Sequence, residues 1–99
     1  MPIDFPNIKS PPEYAYDALV EQIREFQSGL AEDMEVGIVT NTIGLTLHIE
    51  RLWRDEHIVV FDGVDGEDRK ARLLQHYTQI NVQMVAVNKL QSEARRIGF

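Results

Sequence analysis

Ninety-nine residues, 43% apolar and 26% charged, are enough for one globular domain with one modest core. The absence of cysteine excludes disulfides and thiolate chemistry, and no apolar run approaches the ~20 residues that a membrane-spanning helix needs. A net charge of −6 argues against broad electrostatic binding of duplex nucleic acid.

Residues 1–10 hold two prolines and little periodicity, which predicts an irregular arm whose Ile3, Phe5 and Ile8 are free to pack on the body or a partner. The start Met1-Pro2-Ile3-Asp4-Phe5 lacks the basic and apolar regions of a signal peptide, so a cytoplasmic protein is expected. Residues 11–99 are expected to form a single α+β domain.

The first helix opens at Ser10-Pro11-Pro12-Glu13, a capping-box sequence in which the Pro residues fall where helical N–H groups have no partner. Tyr16, Leu19, Val20, Ile23, Phe26 and Leu30 recur at helical spacing, and Gly29 marks the end. The pattern then changes to period two. Val36, Ile38 and Thr40 alternate with Glu35, Gly37 and Val39; Asn41 to Gly44 reads as a turn. Leu45, Leu47 and Ile49 point one way and Thr46, His48 and Glu50 the other. Asp55 and Glu56 fall in the next turn, and Ile58 to Phe61 has the length of a central strand. Asp65-Gly66 suits a type I′ hairpin, and a fourth strand is expected over Lys70 to His76.

A second helix is expected from Thr78 to Arg96, with Ile80, Met84, Val87, Leu90 and Ala94 on its apolar face and Val82, Val85 and Ala86 widening it. So broad an apolar surface calls for a second buried contact, supplied by the first helix or by another copy of the chain. The predicted architecture is thus two-layer α+β: a four-stranded antiparallel meander flanked by an N-terminal and a C-terminal helix.

No catalytic motif is present. His48, His57 and His76 lack the spacing of a zinc site, so no metal is expected. Asp62, Asp65, Glu67 and Asp68 lack EF-hand spacing and read as a solvated hairpin. Neither a G-x-S-x-G elbow nor a phosphate loop occurs, and neither an enzyme nor a cofactor is expected. Trp53 and Tyr77 could stack on a base, but core packing is the commoner use of such rings.

Charge is unevenly spread. Residues 1–68 carry a net of −11 and residues 69–99 a net of +5. Arginine offers a planar fork to phosphate or carboxylate. Arg95 and Arg96 are therefore candidate anion contacts, although cations also routinely end a helix. Arg72 is a further donor, and Gln75, His76 and Gln79 are candidates for orienting a ligand.

Leu73-Leu74-Gln75-His76-Tyr77-Thr78-Gln79-Ile80-Asn81-Val82 and Ala94-Arg95-Arg96-Ile97-Gly98-Phe99 resemble a family of small bacterial and prophage proteins defined only as a domain of unknown function. That family has a Leu-Ile-Gln-His…Ser-Gln-Leu-Asn segment and an Ala-Arg-Arg-Ile-Gly-Phe ending. Thr78 and Ile80 replace its serine and leucine. The resemblance implies no reaction. By analogy of size and setting it suggests phage or bacterial defence, where small oligomeric proteins sequester nucleotide signals. The expectation is a non-enzymatic homo-oligomer that binds a small anionic ligand, a nucleotide or cyclic oligonucleotide. The alternative is a protein–protein module, adaptor or inhibitor, using the apolar helix and the acidic residues Glu21, Glu25, Glu32 and Asp33.

Overall fold

The computed structural model describes residues 8–40 and 45–99. The expected arm lies largely in 1–7, and the expected Asn41–Gly44 turn coincides with 41–44; both fall outside the described residues.

Helix α1 spans Pro11–Ser28. Its first turn is closed by Glu13, whose carboxylate accepts from the Ser10 hydroxyl at 2.9 Å and reaches back to the Ser10 N–H at 3.5 Å. The expected stripe is its buried face: Ile23 is fully buried, and Tyr16, Leu19, Val20, Phe26 and Leu30 pack around the core.

Five strands follow: β1 Met34–Thr40, β2 Thr46–Asp55, β3 Ile58–Val64, β4 Lys70–His76 and β5 Val82–Asn88. They form one antiparallel sheet in the order β4-β3-β2-β1-β5, so β1 to β4 make the expected meander. The α+β class therefore holds, but the sheet has five strands rather than four, and α1 is its one α-helix among the described residues.

The predicted second helix is absent. Tyr77–Gln79 form a single 3-10 turn, Val82–Asn88 form β5, and residues 89–99 run as an irregular tail. The physical reason lies in β1. Its edge away from β2 pairs with β5 along its whole length, from Met34↔Asn88 to Thr40↔Val82. None of the residues of β5 is fully buried, but its three valines suit a pleated, half-buried surface. The second buried contact is thus β1, and Arg95 and Arg96 end no helix.

The sheet is strongly curled, and its register shows why. β2 is ten residues long and serves two neighbours. Its first residues pair with β1 (Val39↔Thr46 to Gly37↔His48), and its later ones pair with β3 (His48↔Val64 to Asp55↔Ile58). β4 therefore ends near one end of β2, and β5 begins near the other. On a flat sheet those points would lie about 35 Å apart, from strand spacing and rise. Residues 77–81 span at most about 22 Å. The sheet closes that gap by bending at the irregularity between Ile49 and Arg51. At the bend the β2 backbone leans onto Gly63, where an added Cβ would sit 2.0 Å from the His48 carbonyl oxygen. Only glycine admits that approach.

The β3–β4 hairpin also differs from expectation. Asp65-Gly66 does not form a type I′ turn; the left-handed residue is Asp68, at φ 62°. The buried Asp65 carboxylate organises the loop by accepting from the backbone N–H groups of Glu67 and Arg69 and from the Arg69 side chain. The N–H of Arg69 leads these bonds in holding its carboxyl below the ordinary value.

The core lies between α1 and the concave face of the sheet: Val36 and Ile38 from β1, Leu47, Ile49 and Leu52 from β2, Val59 and Phe61 from β3, with Ile97 from the tail. Among the described residues, no helix is long and apolar enough to cross a membrane.

Candidate binding face on the outer side of the sheet

Strand alternation sends every second residue of β2, β3 and β4 away from the core. Cross-strand register arranges these residues in three rows: Arg51–Asp62–Arg72, Trp53–Val60–Leu74 and Asp55–Ile58–His76. Each lies one residue off a core position such as Leu52, Phe61 or Leu73.

Trp53 stands at the centre of this outer face rather than in the core. The guanidinium carbons of Arg51 and Arg72 lie 4.8 Å and 5.0 Å from its ring centroid. Arg72 also donates from Nε to Asp62 at 2.9 Å, which fixes its fork beside the ring. Leu74 is 61% exposed, whereas Val60 beneath the two large side chains is 5% exposed. An open cleft of about 500 Å³ adjoins the arginine row, lined by Glu50, Asp62, Gly63, Lys70, Ala71 and Arg72. Beyond Leu74, the His76 ring stacks with His57 at 5.8 Å between centroids and tilts against Tyr77 at 4.9 Å. The Thr78 hydroxyl lies 2.7 Å from His76 Nδ1, which also accepts from the Thr78 N–H at 3.3 Å.

Two of the expected site residues, Arg72 and His76, thus share one face of one strand. Gln75 points the other way and accepts from the Asn81 N–H, tying down the 3-10 turn. Gln79 is exposed within that turn. Arg96 is exposed, and its Nη1 donates to the carbonyls of Met34 and Arg95.

Arg95 has a different environment. Its side chain is only 6% exposed, and its three nitrogens donate to three carboxylates: Nη1 to Glu35 at 3.1 Å, Nε to Glu50 at 2.8 Å and Nη2 to Asp68 at 2.9 Å. Glu35 is fully buried and also accepts from the Arg95 backbone N–H at 3.0 Å. His48 Nδ1 lies 2.6 Å from Glu35 Oε2; since an ionised carboxylate only accepts, Nδ1 carries the proton. Burial pushes the Glu35 carboxyl up, but the Arg95 N–H, His48 and the Arg95 guanidinium outweigh it and hold the group below its ordinary value. The tail is thereby locked in place. Gly98 bridges the edge of β2 that β1 has left, donating to the Glu50 carbonyl and accepting from the Leu52 N–H, both at 2.9 Å.

Sequence reasoning missed Arg51, Glu35 and His48 as participants. The alternation Arg51-Leu52-Trp53 was the available signal for the first; the pairing of Glu35 with a residue 60 positions away left none.

No family model, curated protein or solved structure matches the chain.

Proposed function

We propose that the protein is a non-enzymatic cytoplasmic binding protein for a small anionic ligand with a planar ring, of which a nucleotide is the type, and that the outer face of β2–β4 receives it. The observation that carries this reading is Trp53 on an outward sheet face with the guanidiniums of Arg51 and Arg72 over its ring. A base stacks on such a ring or on a guanidinium plane, at roughly 1–3 kcal/mol per base. Arg72 and Lys70 line one cleft and Arg51 stands in the row of Arg72, which offers cations for the attached phosphate, and His76 extends the same face. Arg95 has its donors committed to carboxylates and serves as framework in this reading.

A second reading rests on Leu74. A leucine 61% exposed in the row of Trp53, on the same strand as the cleft residues Lys70 and Arg72, also suits a peptide or protein surface. Calorimetry with mononucleotides, dinucleotides and cyclic dinucleotides separates the two. The nucleotide reading predicts binding to the parent chain that is lost in Arg51→Ala/Arg72→Ala and retained in Arg96→Ala. No heat with any nucleotide, together with a protein partner captured through Leu74, would favour the second reading.

A further inference from the structure

The two edges of the sheet are managed differently. An unpaired edge strand is a template for pairing with another chain, and natural edges are blunted by charge, proline or a bulge. β4 has such protection in Lys70 and Arg72. β5, Val82-Gln83-Met84-Val85-Ala86-Val87-Asn88, has none: no charge, no proline, and an unbroken register with β1 on its other side. A seven-residue, uncharged edge strand with three valines and no gatekeeper is a hazard unless something covers it. Beside this edge runs a groove of about 500 Å³ between α1 and the sheet, with Phe26, Leu30, Met84 and Ala86 as its apolar wall.

We infer that β5 pairs antiparallel with β5 of a second copy, across a two-fold axis at Val85, so that two five-stranded sheets join into one. The strand is suited to its own image. About that axis residue 82 faces 88, 83 faces 87 and 84 faces 86, each pair on the same side of the sheet. Met84 and Ala86 of each copy then meet beside the grooves, and Val85 meets Val85 on the outer side, where it packs over Gly37. The unlike edges argue against a head-to-tail array, because it would put the basic β4 on the neutral β5. An isologous pair closes on itself and leaves no β5 edge exposed.

The chain has no cysteine, so a cross-link tests this cleanly. Light scattering of the parent chain at roughly 100 µM, above the Kd of a stable homodimer, should give twice the 11.4 kDa chain mass. Val85→Cys should form an intermolecular disulfide on mild oxidation, because directly opposed antiparallel residues have Cα atoms about 4.5–5.5 Å apart, within disulfide range. Leu74→Cys, on β4, should stay monomeric on a non-reducing gel. Should Val85→Cys fail to fold, the exposed Gln83→Lys serves instead and should halve the native mass. A monomeric parent, a mass above the dimer, or a parent mass unmoved by Gln83→Lys would overturn the inference. So would a folded Val85→Cys that forms no cross-link.

Discussion

Arg95→Ala is expected to destabilise the fold far more than the loss of a surface arginine. Its contacts with Glu50 and Asp68 are ordinary, since those carboxylates are 49% and 54% exposed, and contribute about 0.2–1 kcal/mol each. The contact with Glu35 is different, because neither side chain meets appreciable solvent. Removing one partner of a buried ion pair leaves the other charge uncompensated, at a cost of about 3–5 kcal/mol. That is a large part of the roughly 5–15 kcal/mol that holds a domain folded. At about 4–8 °C per kcal/mol for a chain of this size, the midpoint should fall by at least about 12 °C. Urea unfolding followed by circular dichroism measures the effect, with an unchanged slope confirming that the native state and not the denatured ensemble was altered. Arg95→Lys should fall between, because one ammonium cannot span three carboxylates. A melting point for Arg95→Ala within about 3 °C of the parent would refute the role of this arginine as the lock of the tail.

The two glycines of close approach should separate cleanly. Gly63→Ala meets the backbone of His48 at 2.0 Å, so the bend must open, and a loss above about 3 kcal/mol or failure to fold is expected. For Gly37→Ala the nearest atoms are methyl groups of Thr46, Val85 and Val87 at 2.9–3.1 Å, and a loss of about 1–2 kcal/mol is expected, both read from urea midpoints. Acid should also destabilise the protein. The Glu35 carboxyl is held below its ordinary value of 4.5 in the folded state, so its contribution is complete above that value and is lost as pH falls through the folded pKa. Thermal melts taken from pH 7 downward should therefore decline below about pH 4.5, and Glu35→Gln should decline less steeply from a lower starting point.

Local signals account for what the amino-acid pattern made legible. The Ser10–Glu13 box caps α1 and the Tyr16–Leu30 stripe follows it to its end, and β4 alternates over Lys70–His76 with no bulge to disturb it. Residues 78–88 read as helix because Ile80, Met84 and Val87 fit a helical face as well as Val82, Met84 and Ala86 fit a strand. Periodicity cannot arbitrate a short apolar run. The deciding factor was the open edge of β1, more than forty residues earlier in the chain. Arg72 and His76 fall on one side of β4 by period two alone. Arg51 and Trp53 joined them only through the irregularity after Ile49, which resets the alternation of β2. Glu35 reads as an outward polar residue of β1; it is buried because the tail returns over it with Arg95, a contact that no local pattern encodes.

The most direct test of the account uses Trp53, the single tryptophan of the chain, as a reporter at the proposed face. Its fluorescence should be quenched saturably as a nucleotide is added, weaken as salt rises, and fail to respond in Arg72→Ala. A nucleotide that binds by calorimetry without disturbing Trp53, or a quench that Arg72→Ala leaves intact, would contradict the placement of the ligand on the outer face of β2–β4.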